Sequence, residues 1–371
     1  MGKKKDIIGD VTMSNELEVN ATSVNGMDDL TWESVRNYLQ KHIEGMPNQP
    51  LTINQFQAGT SNLTYHIQCG DWEGVMRRPP SGPLPPKAHD MGRESKIMSR
   101  LSPFFSYVPK PYVYCEDSSI IGVPFYVMER KNGLVLDKEF PKGVTFSEND
   151  CRQVSYLVVD TMAELHSVDV KKARLEEFGR PQGFLNRQVH GWIKRYQLYK
   201  TEEISVFDAL SKWLAENIPS SSEAVLIHND YKLNNMLISY DLQRVEAVVD
   251  WELATIADPL FDLGTTLGYW NQHDDPEIVK QGIPSITAHS SFISRREFAE
   301  RYASKTKRDV SNLHFYLTFS YFRAAIALQQ MHYRWKIGSA KDERFATFNH
   351  SVKVLMEHAH EHSLNKGEFR L

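Results

Sequence analysis

The segment between residues 224 and 252 constrains the fold more than any other part of the sequence. An apolar run at 224–227 predicts a buried strand that leaves the core at His228. A short apolar stretch at 236–238, a polar turn at 240–244 and a returning stretch at 245–249 predict a β-hairpin. The polar residues 228–235 therefore form a loop between a buried strand and a hairpin.

The two ends of this hairpin carry an amide and a carboxylate. Asn235 precedes the first strand and Asp250 follows the second, and both are equally far from the hairpin midpoint between Leu242 and Gln243. Opposed residues of a strand pair have Cβ atoms about 4.5–5.5 Å apart. Two oxygens at that separation suit one Mg²⁺ ion with ligand bonds of about 2.0–2.1 Å. The turn contains no Asn-Gly or Asp-Gly pair, so this register is inferred from symmetry.

The spacing of the loop residues is typical of a phosphoryl-transfer site. In kinase catalytic loops an Asp accepts the proton of the substrate hydroxyl, an Asn five residues later binds Mg²⁺, and a later Asp also binds it. Taken singly, such short motifs more often cap turns. Their combination with the flanking strands predicts that His228 and Asp230 are catalytic residues. Asn235 and Asp250 are predicted to bind the metal.

The composition indicates a globular protein with room for two compact units. The 371 residues are 41% hydrophobic and 24% charged, with a formal net charge of -4. This charge gives no reason to expect a nucleic-acid partner. No window approaches 18 consecutive apolar residues, so no membrane association is expected. Three widely spaced cysteines predict neither a disulfide framework nor a cysteine zinc site. We expect a cytoplasmic protein, and the sequence does not determine its oligomeric state.

The periodic patterns divide the chain into a tail and two units. Residues 1–28 have no period and predict a flexible tail or an added extension. The first unit, to about residue 130, combines strands with two helices, and helices dominate the remainder. The predicted helices are 30–42, 89–101, one that starts at a Ser147/Asp150 cap and runs to Leu165, 186–199, 205–217, 294–305, 313–334 and 345–362. The predicted strands of the first unit are 54–57, 63–68, 75–78 and 120–128.

The first unit also contains residues that suit a nucleotide. A turn between two strands could cover phosphates with its backbone N–H groups, or it could be a plain hairpin turn; it consists of Gly59, Thr60, Ser61 and Asn62. Strand residues Met128 and Glu129 could bind an adenine edge, although such residues are more often core. A proline-rich segment, 79–86, is either an ordered flap or a stiff connector.

Glu94 is predicted to lie on an inward helix face and therefore to need a cationic partner. Arg77 or Arg78, at the end of a strand, can supply it. In kinase lobes such a pair positions the nucleotide phosphates, but an ion pair that only stabilises the lobe would look the same in sequence.

The order of these features resembles the aminoglycoside phosphotransferase family. The chain is most similar to kinase-like domains related to those fused to acyl-CoA dehydrogenases, through residues 75–80, 250–264 and 321–326. The resemblance covers roughly residues 30–360. It implies an α+β, bilobal protein-kinase-like fold with a small antiparallel-sheet N-lobe at 29–130 that binds nucleotide. The mainly helical C-lobe, 131–371, would carry the catalytic loop and the acceptor site.

The resemblance also implies an activity. The chain would use ATP and Mg²⁺ to phosphorylate a hydroxyl of a small molecule, possible examples being hydroxyacyl-CoAs. Asp230 carries over as the base, Asn235 and Asp250 as metal ligands, and Glu94 as the partner of the strand cation. Two departures are an Arg in place of the strand Lys of many relatives and Asn229 in place of the commoner Gly.

Two residues of the second unit have two interpretations each. Arg323 either binds an acceptor anion or belongs to a buried salt bridge, and Asp262 either orients the catalytic loop or caps a helix. The alternative function is a non-catalytic nucleotide-binding protein on the same fold. A protein kinase is a weaker third interpretation, because no Asp-Phe-Gly or Ala-Pro-Glu element is present.

Overall fold

The computed structural model describes residues 29–56, 62–80, 89–141, 143–221 and 223–365. The chain forms two compact units, of which the first contains residues up to Gly133 together with Glu246–Glu252 and the second contains the rest. The predictions for the tail, for Gly59, Thr60 and Ser61, and for most of the proline-rich segment lie outside the described residues. None of the described helices is long and apolar enough to cross a membrane.

An antiparallel sheet organises the first unit. Its order in the described residues is β1-β2-β3-β5-β4. The strands are β1 (Thr52–Gln55), β2 (Leu63–Cys69), β3 (Trp72–Arg78), β4 (Pro111–Cys115) and β5 (Phe125–Met128), and the helices are α1 (Asp29–His42) and α2 (Met91–Leu101). The periodic residues Trp32, Val35 and Leu39 of α1 belong to one core with Tyr65 and Ile67 of β2. The apolar residues that repeat at helical spacing in the sequence therefore form the face of α1 that covers the sheet.

One strand prediction in the first unit was too long, and one strand was missed. The strand predicted at 120–128 begins only at Phe125, because Gly122 has a φ of +82° and donates its N–H to the Ser118 carbonyl in a turn. Strand β4 begins with Pro111 at the edge of the sheet, where no ladder hydrogen bond is lost to a proline.

The second unit is mainly helical. Its helices are α3 (Glu148–Leu165), α4 (Phe184–Tyr199), α5 (Phe207–Glu216), α6 (Pro259–Tyr269), α7 (Glu277–Gly282), α8 (Arg295–Thr306), α9 (Leu313–Lys336) and α10 (Phe348–Leu364). Helix α3 begins at the predicted cap, because Ser147 and Asp150 exchange side-chain and backbone hydrogen bonds. Strand β6 (Val225–Ile227) precedes the predicted catalytic loop and pairs antiparallel with β9 (Thr255–Ala257).

The predicted hairpin is present as the paired strands β7 (Met236–Ile238) and β8 (Val245–Val248). Its turn closes with a hydrogen bond of 3.0 Å from the Ser239 N–H to the Arg244 carbonyl, which centres the hairpin between Asp241 and Leu242, one position before the predicted midpoint. Leu242 adopts a φ of +60° in this turn, a conformation that Gly or Asn usually supplies. The turn has no Asn-Gly pair because Leu242 occupies the position with positive φ, and its burial holds it in this strained conformation.

Helix α6 was not predicted from periodicity, because it is buried on nearly all sides. Asp258 caps it by accepting the Leu260 N–H, and Pro259 occupies its first turn. Residues from Pro259 to Gly268 are all buried, so no polar face marks the helix in the sequence. Two glycines of α6 face α9 at close range, because a Cβ on Gly264 would collide with Tyr316 and a Cβ on Gly268 with Ser320.

We expect Gly264→Ala to lower the free energy of unfolding by about 1–3 kcal/mol, because the added methyl group overpacks the α6–α9 contact. The matched control is Gly191→Ala in α4, where a Cβ would meet no atom within 4 Å. This second change should be neutral or stabilising by up to about 1 kcal/mol, through helix propensity alone. Chemical denaturation of both variants tests the contrast, and equal effects would contradict a steric role for Gly264.

Candidate active site

A buried ion pair joins β3 to α2 in the first unit. Arg77 Nη1 lies 2.5 Å from Glu94 Oε1, and the side chain of Glu94 is 1% exposed. The partner of Glu94 is therefore Arg77, of the two arginines considered. Arg78 points to the opposite face of the strand, where its guanidinium group lies 5.8 Å from the centre of the Tyr65 ring.

Arg77 also binds the predicted metal ligand of the first unit. Its Nη2 lies 3.0 Å from Asp250 Oδ1. Glu94 Oε1 accepts a second hydrogen bond, of 3.1 Å, from the Trp251 N–H. The Trp251 indole N–H in turn donates to the Val248 carbonyl at 2.8 Å. One guanidinium fork and one carboxylate thus fix the segment that carries Asp250 to β3 and α2.

The electrostatics of Glu94 follow from its burial. Burial raises the pKa of Glu94 to about 7, against the attraction of Arg77, and the negative charges of Asp250 and Glu252 raise it further. The group therefore titrates close to neutral pH, next to the predicted metal ligand Asp250.

Asn62, the one described residue of the predicted phosphate turn, forms a hydrogen bond with the segment that carries Asp250. Its Nδ2 donates to Glu252 Oε2 at 2.9 Å, and its Oδ1 lies 2.7 Å from His89 Nδ1. Arg93 Nη1 donates to the Glu252 carbonyl at 3.1 Å. Glu252 was not predicted to belong to the site, although its position two residues after Asp250 was an available signal.

Met128 and Glu129 lie at the end of β5. Met128 is buried and pairs with Val75 on one side and Pro111 on the other. The Glu129 N–H donates to the Lys110 carbonyl at 2.8 Å, and its carboxylate binds Lys131 at 2.8 Å. The Glu129 N–H is therefore engaged within the protein, and the predicted nucleotide contact of these residues stays a prediction.

In the second unit, Asp262 of α6 organises the start of the catalytic loop. Its carboxylate accepts the N–H groups of His228 and Asn229, each at 2.7 Å, and lies 3.3 Å from His166 Nε2. Burial opposes ionisation, but the hydrogen bond and charge of His166, with those of His228, lower the pKa of Asp262 below its ordinary value. Of the two roles considered for Asp262, the structure shows loop orientation.

Asn229 adopts a left-handed conformation with a φ of +69°. Glycine is the usual residue in this region, and Asn is among the few others that tolerate it. Its side chain is also used, because Nδ2 donates to the Leu253 carbonyl at 3.2 Å and Oδ1 accepts from Arg323 Nη2 at 3.1 Å. The substitution of the commoner Gly is therefore compatible with the loop conformation.

The carboxylate of Asp230 is held on one side only. Asn235 Nδ2 donates to the Asp230 carbonyl at 2.9 Å and to its Oδ2 at 3.0 Å, and Lys232 Nζ lies 3.1 Å from Oδ2. Oδ1 has no hydrogen-bond partner among the residues that the structure describes. His228 is fully buried, and its Nδ1 accepts the Asp230 N–H at 3.3 Å. The imidazole ring therefore stabilises the loop from the side of the core.

Considered one by one, the predicted metal and phosphate residues keep the atoms that a magnesium nucleotide would need. Asn235 directs its amide nitrogen to Asp230, and in the described part of the chain its Oδ1 has no other partner. Asp250 uses only Oδ1 with Arg77. Both residues therefore retain an oxygen, the donor type that Mg²⁺ prefers. Arg77 supplies a guanidinium fork of the kind that binds phosphates, and its buried Nε has no partner.

We expect the stability difference between the native protein and Glu94→Gln to change with pH. A carboxyl group with a raised pKa contributes stability that is fully present below the unfolded pKa and is lost as the pH rises through the folded pKa. For Glu94 this window runs from about 4.5 to about 7. Free energies of unfolding measured between pH 4.5 and 8 should therefore fall more steeply for the native protein than for the variant. Parallel curves would show that Glu94 does not titrate in this window.

We expect Asp262→Asn to lower the rate of phosphoryl transfer and the free energy of unfolding. An amide can accept at one atom only, so its NH₂ group would face the N–H of His228 or Asn229 and leave a buried donor unsatisfied, at a cost of about 1–3 kcal/mol. Denaturation and steady-state kinetics measure the two effects. Asp208→Asn, at an exposed position of α5, is the control, and an equally small effect of both changes would contradict the role of Asp262.

The antiparallel sheet of the first unit and the helical second unit define a protein-kinase-like fold, and comparisons with known proteins give the family. The model of the phosphotransferase enzyme family (APH) matches residues 52–283. The human acyl-CoA dehydrogenase family member 11 is 36% identical over 332 residues, which cover 88% of this chain and 42% of that protein. The chain belongs to the phosphotransferase enzyme family, and it spans less than half the length of this curated relative.

Solved structures agree with this classification. A Ralstonia eutropha protein assigned as an aminoglycoside phosphotransferase is 30% identical, with a TM-score of 0.78, and the match covers 90% of this chain and 98% of that one. A ternary complex of the aminoglycoside phosphotransferase APH(4)-Ia with AMP-PNP and hygromycin B is 16% identical, with a TM-score of 0.55 over 91% of this chain and 99% of that one. The second similarity concerns the fold alone.

Proposed function

We propose that this chain transfers the γ-phosphoryl group of ATP, with Mg²⁺, to a hydroxyl group of a small molecule. The observation that carries the proposal is the state of Asp230, whose Oδ2 is bound by Asn235 and Lys232 while Oδ1 has no partner in the described residues. A carboxylate fixed in this way is suited to accept a proton from a hydroxyl group placed next to it. The nucleotide bound to a relative, AMP-PNP in APH(4)-Ia, supports ATP as the donor.

In this proposal each residue has one task. Asp230 accepts the proton of the acceptor hydroxyl, and His228 and Asp262 hold the loop backbone without touching substrate. Asn235 and Asp250 hold the metal through their remaining oxygens, and Arg77, kept in place by Glu94, binds the nucleotide phosphates. Bound Mg·ATP would supply the phosphoryl group and neutralise its developing charge. Met128 and Glu129 remain the proposed adenine contacts, and Asn62 a residue of the phosphate turn.

For the acceptor we propose a hydroxyacyl-CoA as the first compound to test. The support is the name of the human relative, an acyl-CoA dehydrogenase family member, with which the chain aligns over most of its own length. That relative is more than twice as long as the aligned part, so the dehydrogenase activity in its name is not proposed for this chain.

The second candidate is a nucleotide-binding protein that transfers no phosphoryl group. It is motivated by Arg77 in place of the strand Lys of many relatives, because this guanidinium group is shared between Glu94 and Asp250 and presents a planar fork to the phosphates instead of a point charge. The two functions are separable, since this candidate predicts binding of Mg·ATP without ADP release in the presence of any acceptor.

We expect Asp230→Ala to reduce kcat by about 10²–10⁴, the usual contribution of general acid–base catalysis, and to change the Kd for Mg·ATP by less than about threefold. ADP release is measured with a hydroxyacyl-CoA, sugars and aminoglycosides as acceptors, and nucleotide binding is measured by calorimetry. Asp208→Ala, an exposed aspartate of α5, serves as the control. Full activity of Asp230→Ala would exclude it as the base, and ATP binding without transfer by the native protein would favour the second candidate.

A further inference from the structure

Two arginines of the second unit share one indole ring close to the catalytic loop. The guanidinium carbon of Arg195, on α4, lies 4.2 Å from the centre of the Trp192 ring, and that of Arg323, on α9, lies 5.5 Å from it. The Arg323 group also lies 4.5 Å from the centre of the Phe261 ring. In the described residues neither arginine forms an ion pair with a carboxylate. Two like charges therefore lie near one another with no carboxylate in direct contact, although Asp230 and Asp262 act on Arg323 from beyond ion-pair distance.

The hydrogen bonds of Arg323 go to neutral oxygens. Nη1 donates to Thr265 Oγ1 at 2.9 Å, Nη2 donates to Asn229 Oδ1 at 3.1 Å, and Nε is buried with no acceptor. Burial lowers the pKa of this guanidinium group and Arg195 lowers it further, while Tyr269 and the carboxylates of Asp230 and Asp262 oppose the shift. Because the net shift is downward, these carboxylates offset only part of the cost of desolvating the charge. The arrangement has the properties of a site that an anion would complete.

One of the two arginines, Arg323, is connected to the loop of the proposed base. Arg323 binds the side chain of Asn229, which precedes Asp230 in the loop. A third cation, Lys232, lies 3.1 Å from Asp230 Oδ2 and 5.0 Å from the centre of the Tyr269 ring. An acceptor whose hydroxyl lies at Asp230 would thus meet positive charge and aromatic surface around it.

We propose that Arg195 and Arg323, arranged on Trp192, form an oxyanion subsite that binds a carboxylate or phosphate group of the acceptor. The proposal rests on the proposed function and narrows its substrate class to hydroxyl compounds that carry an anionic group. Guanidinium forks match the geometry of both oxyanions and bind them with two parallel hydrogen bonds. The arginines, together with the indole ring, are then specificity-determining residues for this reaction.

A purely structural role explains Arg323 but not Arg195. Arg323 would hold the Asn229 side chain with any acceptor. A substitution of Arg323 would therefore change both the loop position and anion binding, and the two effects could not be separated. Arg195 is exposed, and the contact that the structure gives it is the ring of Trp192. A variant of Arg195 therefore tests the subsite without disturbing the catalytic loop.

The experiment compares Arg195→Ala and Arg195→Lys with the native protein on matched acceptors. The pairs are 3-hydroxybutyrate with butane-1,3-diol, and glycerol 2-phosphate with glycerol, so the anion is the main difference within each pair. Loss of one charge-assisted contact should raise KM for the anionic acceptors about tenfold or more, with kcat unchanged and the neutral acceptors unaffected. Arg195→Lys should recover part of the loss. Lys194→Ala, which removes a neighbouring exposed charge on α4, should change nothing.

The outcomes separate this inference from the proposed function. No ADP release with any acceptor, including hydroxyacyl-CoAs and aminoglycosides, would overturn the proposed function. The subsite is then decided by calorimetric titration of glycerol 2-phosphate and 3-hydroxybutyrate in the presence of Mg·AMP-PNP. Weaker binding to Arg195→Ala than to the native protein and Lys194→Ala would support it, and the stronger ligand would identify the oxyanion. Equal binding, no binding to the native protein, or an equal kinetic loss for neutral acceptors would overturn the subsite.

Discussion

The conformation of residues 228–235, the predicted catalytic loop, depends on one buried carboxylate. Asp262 remains ionised in the core because both oxygens accept backbone N–H groups of the loop and His166 lies against one of them. A buried charge with fewer partners would cost several kcal/mol, of order 3–5 when a partner is removed. The left-handed turn at Asn229 is thereby fixed from α6, since any other backbone direction would leave this charge without its donors. The hydrogen bonds to Asp262 restrain His228 and Asn229, the first two residues after β6. The orientation of Asp230, the next residue, follows from this restraint.

In the first unit, a buried arginine fixes the segment that carries Asp250. Arg77 has two carboxylate partners, Glu94 and Asp250, that it contacts through separate nitrogens. A planar fork can do this at fixed geometry, whereas a lysine offers a single point charge. The Arg in place of the strand Lys of many relatives therefore fixes Asp250, the proposed metal ligand, together with Glu94.

Local signals in the sequence predicted the elements with a one-sided burial pattern. Helix α3 was recognisable from its cap and its period, and the strand–loop–hairpin order from alternating apolar and polar stretches. Helix α6 was not, because burial on all sides removes the period. The task of Asp262 was undecided for a related reason. Its partners lie more than 30 positions away along the chain, and a carboxylate in the first turn of a helix has an ordinary local explanation as a cap. The predicted burial of Glu94 required a cationic partner, and the sequence left Arg77 and Arg78 as candidates. These two residues point to opposite faces of β3, and the structure pairs Glu94 with Arg77.

The charges around Asp230 bear on acceptor selection independently of fold similarity. A polycationic acceptor would approach Arg195, Arg323 and Lys232, and each like-charge contact at about 4 Å costs about 1 kcal/mol in water and about 4 kcal/mol where the effective dielectric constant is near 20. An anionic acceptor gains the same terms with the opposite sign. Members of one fold can therefore differ in substrate through a few surface charges on the helices that flank the loop, while the base and its supports stay the same. In this chain those charges lie on α4 and α9 and on the loop itself, so in the proposed reaction the acceptor preference would be separable from the residues that move the phosphoryl group.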